Sequence, residues 1–315
     1  MARALILGGF GQDGYYLSRQ LLAYGHETFV LGRKIHEGVA DRVHSLVIDV
    51  TDQNAISETI SQVKPDWIFN LAGISSVSLC ERNPKLSHLV NVDSAKNLLD
   101  CLTKYAKKVE GEIFLFQALS SEIYGNPSFR SCDENSMKNP FSIYGEQKLE
   151  LLHYTIAQKL PSNLRVVNGI LFNHESIMRK RQFVTRKIAH GVASIYQGKS
   201  KMIQLGDLSI ARDWGFTGDY TNAMYKLAES SSKGEFVIAS GKLTTIREIC
   251  NLAFSCLGIT NWESLVVSDE HFVRDGEPNG LQGNYDKIKS EIGWEPETLI
   301  QDVIHQMVKT EMELS

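Results

Sequence analysis

Ala4-Leu5-Ile6-Leu7 runs without a break into Gly8-Gly9-Phe10-Gly11-Gln12-Asp13-Gly14. Four consecutive aliphatic residues, followed by glycines at a three-residue spacing, describe a buried strand that turns sharply into a helix. Glycine adopts positive φ and lets main-chain N–H groups approach an anion closely. The N-terminus of the following helix adds partial positive charge. Gly8, Gly11 and Gly14, with Gln12 and Asp13 between them, therefore predict a turn that cradles the pyrophosphate of a dinucleotide. A purely structural tight turn is the alternative.

Outward from this turn, strand and helix patterns alternate. Tyr15–Tyr24 has helical spacing and ends at Gly25. Thr28–Leu31 and Ser45–Ile48 read as strands, and Asn54–Val63 as a helix stopped by Pro65. Trp67–Leu71 and Ile113–Ala118 are further strands, separated by one long helix over Leu86–Ala106. Pro140–Gln158 reads as a helix and Arg165–Phe172 as a sixth strand. Nearly continuous apolar strands between helices imply a parallel sheet covered on both faces. The predicted class is α/β: a doubly wound, Rossmann-type parallel sheet with a smaller C-terminal α/β substrate lobe. The dinucleotide domain is expected over residues 1–172, with returning segments near 211–240. The lobe is expected over 173–210 and 241–315. Within those segments Val184–Tyr196, Ile246–Leu257 and Ile300–Glu311 are helical, Phe236–Ala239 is a short strand, and Asp269–Asn284 is a loop.

Bulk properties narrow the function. With 315 residues, 43% of them hydrophobic, the chain is long enough for one large domain and a lobe. A net charge of -4 offers no basic surplus for nucleic acid or an anionic membrane. The five cysteines are odd in number and lack metal-ligand spacing, which predicts free thiols and no metal. The apolar start is too short for a leader peptide, and no stretch reaches the length of a membrane span, so the expected location is cytoplasmic.

The second strand ends in Leu31-Gly32-Arg33-Lys34. A dinucleotide lacking a 2′-phosphate usually meets a carboxylate there. Two cations suit a 2′-phosphate instead, so the expected cofactor is NADP, with NAD as the alternative. Asp49, ending the third strand, either accepts from the adenine or caps the helix that begins after Thr51.

Tyr144 and Lys148 lie one helical turn apart on one face. A phenol titrates near about pH 10, and a neighbouring ammonium is expected to lower that value. The pair then exchanges a proton with an alcohol as its carbon is oxidised, and Lys148 also reaches the cofactor ribose. Ser120-Ser121-Glu122 follows the fifth strand at the sheet edge where such folds bind ligands. Ser120 predicts a hydroxyl that holds the reacting oxygen. Glu122 predicts a base: once a carbon becomes a ketone, its neighbouring C–H is acidic, and removing that proton drives loss of a β-hydroxyl. A turn-forming serine and a solvated carboxylate are the structural alternatives.

The chain resembles the GDP-mannose 4,6-dehydratase family of extended short-chain dehydrogenase/reductases. The likeness covers nearly its whole length. It runs through Gly11-Gln12-Asp13-Gly14, Gln117 to Gly125, Val167 to Ser176, Phe183 to Ile188, Arg212-Asp213-Trp214-Gly215 and Leu281-Gln282-Gly283. The resemblance implies a lyase that oxidises C4 of a GDP-hexose, removes the C5 proton and expels water from C6. It implies Ser120, Glu122, Tyr144 and Lys148 as the catalytic set. To the cofactor set it adds Val50, Leu71, Ala72 and Gly73; for the substrate it implies Ser75, Asn173, Val184, Lys187, Arg212, Arg274 and Glu277. An ion pair with Asp213 is the structural alternative for Arg212. Ile74, Ser76 and Ile143 stand where the family has glutamine, histidine and proline, and the loop after the second strand is short. A homodimer is therefore expected ahead of a tetramer. A GDP-sugar C4 oxidase, epimerase or 4-keto reductase is the alternative activity.

Overall fold

The computed structural model describes residues 1–35, 40, 42–126, 131–269 and 280–314. The first half of the chain alternates β1 (Arg3–Leu7), α1 (Gln12–Ala23), β2 (Glu27–Gly32), β3 (His44–Val47), α2 (Gln53–Val63) and β4 (Trp67–Asn70). Next come α3 (Val77–Arg82), α4 (Pro84–His88), α5 (Ser94–Ala106), β5 (Ile113–Ala118), β6 (Ser131–Cys132), α6 (Ile143–Ala157) and β7 (Leu164–Leu171). The remainder supplies β8 (Asn173–Glu175), α7 (Val184–Tyr196), β9 (Ile203–Leu205), β10 (Ala211–Phe216), α8 (Thr217–Glu229) and β11 (Gly234–Ile238). It ends with β12 (Leu243–Thr245), α9 (Ile246–Ser255), β13 (Val266–Ser268), β14 (Gln282–Gly283), α10 (Asp286–Ile292) and α11 (Ile300–Leu314).

Seven strands form one parallel sheet in the order β11-β7-β5-β4-β1-β2-β3. Side chains alternate faces with period two. Ala4 and Ile6 join one core, with Leu17 and Leu21 of α1 and Met224 and Leu227 of α8. Leu5 and Leu7 join the opposite core, with Ile56 and Ile60 of α2 and Leu98 and Leu102 of α5. The strand order reverses direction between β1 and β4. That crevice, at the carboxyl ends of the strands, is where such sheets take a ligand. The predicted doubly wound α/β sheet is therefore present.

A third apolar core joins α7, α9 and α11 around Trp214, Phe254 and Trp262. Packing crosses the expected division between sheet and lobe. Leu281, Ile288 and Trp294 enter the core of the sheet, and Trp294 Nε1 donates to the Asp219 carbonyl at 3.0 Å. The five cysteines are unpaired, four of them buried. No helix among the described residues is long and apolar enough to cross a membrane.

Several elements depart from the sequence expectation. The helix expected over Leu86–Ala106 is interrupted by a π-turn at Leu89–Asp93. The extra residue turns Asn91 inward, where its Oδ1 accepts from Ile74 N at 2.7 Å. Helix α6 starts at Ile143 because Ser142 caps it, accepting from Gly145 N at 3.1 Å. Asp49 does not cap α2. Asp52 does, accepting from the amides of Asn54 and Ala55, while Asp49 folds back onto Thr51. Helix α8 and the small sheet β12-β10-β8 fall where the apolar pattern is too short to read.

The first glycine of the phosphate turn carries two constraints. Gly8 has φ +75°, and a Cβ there would lie 2.8 Å from the backbone at Leu71 and Ala72. Gly25 has φ +82° with open space around it. We expect Gly25→Ala to cost about 1 kcal/mol and Gly8→Ala about 1–3 kcal/mol more, read as the shift in urea unfolding. Equal losses at the two positions would show that the close approach to β4 is unimportant.

Candidate active site

Helix α1 begins at Gly11, whose side chain cannot cap it. The amides of its first turn therefore receive no cap from that position and lie beyond the carboxyl end of β1, an arrangement suited to a phosphate. Leu71 and Ala72, half-buried, and Gly73, exposed, follow β4 on the other side of the crevice. Arg33 and Lys34 project into solvent from the end of β2. Asp49, exposed, sits close enough to Arg33 to feel its charge: hydrogen bonds from Thr51 chiefly, and Arg33 also, hold its carboxyl below the usual range. Val50 is half-buried beside it. These residues all follow the carboxyl ends of β1 to β4, and the cations and main-chain donors among them are of the kind a phosphorylated dinucleotide would need.

The side chains of Gln12 and Asp13 turn away from that role. Gln12 Nε2 donates to the His174 carbonyl at 3.0 Å, and its Oε1 accepts from Ser176 Oγ at 2.8 Å. Asp13 Oδ1 meets His174 Nε2 at 2.9 Å. The phosphate turn is thereby bound to the segment leaving β7, so any part they take in holding a phosphate runs through the main chain.

Across the crevice, α6 lies against the end of β5. Lys148 is buried, and its Nζ donates to the Ala118 carbonyl at 2.9 Å. It stands 5.8 Å from the centroid of the Tyr144 ring and beside Gly73. Tyr144 packs among Val77, Cys80, Ile74 and Ile143. Burial pushes its phenol well above the ordinary range, the Glu122 charge adds to this, and a hydrogen bond with Ser120 opposes it. The expected lowering of the phenol by Lys148 is therefore not seen: burial dominates and the lysine is not among the groups that shift it. Desolvation outweighs every attractive contact there. The same burial pushes the lysine down to about 8.

Glu122 is held over this pair by the helix that carries it. Ser142, which caps α6, also donates from Oγ to Glu122 Oε2 at 3.3 Å. Gly145 allows the approach: a Cβ there would lie 2.6 Å from the Glu122 carbonyl. Ser120 accepts from Glu122 N at 3.3 Å and opens the short 3-10 turn Ser121–Tyr124. Ser120, Glu122, Tyr144 and Lys148 thus converge on one pocket, a donor–acceptor set able to move protons at adjacent atoms of a bound molecule.

The residues assigned to a substrate are placed more loosely. Ser75 is exposed after β4, and Asn173 is half-buried on β8, paired with Trp214 of β10. Val184 opens α7, with Lys187 one turn on; burial lowers the Lys187 ammonium while Asp269 opposes it. Arg212 is buried on β10. Asp213 receives four hydrogen bonds, from Ser240 N and Oγ, Gly241 N and Gly283 N. Arg274 and Glu277 lie outside the described residues. No group of three or more potential metal ligands occurs among the described residues.

Sequence reading missed four residues at the site. Asn91 also donates to Gln147 Oε1 at 2.9 Å, tying the π-turn to α6. Ser142 was legible as a serine one position before a helix. His174 and Arg179 reach Asp13, and Arg179 also bears on Tyr144. Their signal was a run of titratable residues just past the carboxyl end of a strand.

Solved structures share this fold. A UDP-glucose 4-epimerase from Thermus thermophilus in complex with NAD is 24% identical, with a TM-score of 0.85 over 98% of both chains. DesIV, a dTDP-glucose 4,6-dehydratase from Streptomyces venezuelae, is 22% identical, with a TM-score of 0.84 over 99% of this chain and 97% of that one. The fold is that of the short-chain dehydrogenase/reductases. Within it the chain belongs to the GDP-mannose 4,6 dehydratase family, which it matches over residues 5–307. The Arabidopsis thaliana protein named GDP-mannose 4,6 dehydratase 2 is 33% identical, over 99% of this chain and 87% of that one. The human GDP-mannose 4,6 dehydratase is 32% identical, over 99% and 91%.

The buried lysine leaves a signature in stability. The unfolded chain keeps the lysine proton up to about pH 10.4, whereas the folded chain releases it from about 8. Between these values the unfolded state binds more protons, so this group's contribution to stability rises with pH. Lys148→Met removes the buried charge, and its stability advantage over the unsubstituted protein should narrow from about pH 7.5 to about pH 9.5. A constant difference in unfolding free energy across that window would contradict a depressed lysine.

Proposed function

We propose that this chain is a GDP-mannose 4,6-dehydratase, converting GDP-mannose to GDP-4-keto-6-deoxymannose. The observation that carries the reading is the convergence of a phenol, an ammonium and a second-position carboxylate in one buried pocket beside a phosphate-binding turn. A simple alcohol dehydrogenase has no use for the carboxylate.

The cofactor of this reading is NADP. It would lie along the β1–β4 crevice, with the amides after Gly8 and Gly11 at its pyrophosphate and Arg33 and Lys34 at its 2′-phosphate. When bound it supplies the chemistry that takes hydrogen from C4 and gives it back at C6. The protein does the rest. Tyr144 takes the proton of the C4 hydroxyl, with Ser120 holding the same oxygen. With a positively charged cofactor ring held beside it, Tyr144 would be less disfavoured as phenolate, and the Lys148 ammonium would add to this. Glu122 removes the C5 proton, made acidic by the C4 carbonyl, and delivers it to the departing C6 hydroxyl. As hydrogen is restored to C6, the proton held by Tyr144 is returned to C5 by way of Glu122, so that both groups regain their starting state.

Asn173, Val184 and Lys187 would lie along the hexose and its nucleotide, with Ser75 at the sugar and Arg212 at the diphosphate. Arg274 and Glu277 complete the nucleotide contacts in this reading. The sheet domain, residues 1–172 with the returning segments near 211–240, would hold the cofactor, and the lobe of 173–210 and 241–315 the sugar nucleotide. Leu86, Leu89 and Ile156, all exposed on α4, the π-turn and α6, support a homodimer through these helices. The location we assign is the cytoplasm, where nucleotide sugars and a reducing pool both occur.

Incubation with GDP-mannose should give a product lighter by one water, with no net change in the cofactor. A product of unchanged mass and inverted C4 would replace dehydration with epimerisation. Glu122→Gln should stop water loss while still allowing slow C4 oxidation, seen as absorbance of reduced cofactor. Tyr144→Phe should lower kcat by about a thousandfold or more. Dehydration at an undiminished rate in Glu122→Gln would remove that residue from its role.

A further inference from the structure

Asp13 occupies the first turn of α1. A carboxylate there stabilises the helix in the absence of ligand, yet it repels any phosphate brought to the same end. The structure pairs it with a ring. His174 Nε2 faces Asp13 Oδ1 at 2.9 Å, and His174 Nδ1 faces the Phe172 carbonyl at 2.7 Å. Both partners are acceptors. A neutral imidazole donates from one nitrogen and satisfies one of them; the imidazolium satisfies both. Gln12 fixes the ring's backbone by its bond to the His174 carbonyl, and Ser176 holds Gln12 in turn.

The surroundings of the ring agree with a cation. From α1 it faces Asp13, with Tyr16 near Ser176; from its own segment come Glu175 and Arg179; from α8 the Tyr220 ring packs at 4.7 Å. Burial and Arg179 work against the ring's charge, yet Asp13 prevails and raises its pKa. Asp13 is correspondingly held below the usual carboxylate range, burial notwithstanding, by His174 and Arg179.

We propose that protonated His174 is a positioning residue for the cofactor: it cancels the Asp13 charge at the phosphate turn, so that dinucleotide binding is coupled to retention of a proton on this ring. The inference rests on the NADP reading above. When the free protein loses the His174 proton, the first turn of α1 carries a carboxylate that has lost its hydrogen-bonded cation and keeps only the charge of Arg179. Binding then either takes up a proton or proceeds against that charge. Affinity falls by up to tenfold per pH unit above the ring's pKa in the free protein.

The test is calorimetric titration of NADP into the full chain stripped of nucleotide, from about pH 6 to about pH 9, in buffers of differing ionisation enthalpy. We expect weaker binding and measurable proton uptake toward the alkaline end. His174→Gln should weaken NADP by about tenfold near neutral pH, and adding Asp13→Asn should recover most of that loss, because the isolated carboxylate is what repels. Asp13→Asn alone, nearly isosteric, should flatten the pH dependence; comparison with it also removes the titration of the 2′-phosphate itself, and it decides the matter if His174→Gln fails to fold. Affinity that is level with pH in the unsubstituted protein, or a double variant no better than His174→Gln, would overturn the inference and leave the NADP reading standing. Failure of the unsubstituted protein to bind NADP at any pH would overturn that reading and this inference with it.

Discussion

The Lys148 ammonium has been taken out of water and given the Ala118 carbonyl in exchange. One hydrogen bond does not restore the hydration of a full charge. The lysine accordingly sits near its titration point at neutral to mildly alkaline pH. The bond also fixes the relation of α6 to the end of β5. Tyr144 lies one turn earlier on the same helix, and Ser142 and Gly145 bring the Glu122 turn within contact of that helix end. Three acid–base groups therefore inherit their geometry from a single buried contact between a helix and a strand end.

The two halves of the crevice are joined by a different device. Gln12 and Asp13 leave the phosphate turn and bind His174 and Ser176, just past β7. Thr185 of α7 in turn donates to the buried Glu175 at 2.6 Å. A path of polar contacts thus runs from the dinucleotide side to the helix that bears Val184 and Lys187. The path fixes the position of that helix relative to the phosphate turn.

Much of the sheet was legible because buried parallel strands are short, apolar and bounded by glycine or proline. The phosphate turn and the Tyr144–Lys148 spacing were legible for a similar reason: both are local patterns. What escaped was non-local. The π-turn at Asn91 depends on Ile74 and Gln147, distant in sequence. The turning of the Gln12 and Asp13 side chains away from the phosphate turn depends on His174, which is 162 and 161 residues away in the sequence. The phenol's raised pKa depends on how deeply Ile74, Val77, Cys80 and Ile143 bury it, and spacing along a helix says nothing of depth. The cap of α2 was left open at Asp49, and it falls to Asp52, because two aspartates stand three residues apart and either could serve.

The burial of Tyr144 and Lys148 should keep the migrating hydrogen from solvent. GDP-mannose carrying deuterium at C4 tests that most directly, with the product read by nuclear magnetic resonance and mass spectrometry. The account predicts that the label reappears at C6 of the 4-keto-6-deoxy product of the same molecule. Label lost to water, or left on released reduced cofactor, would contradict it.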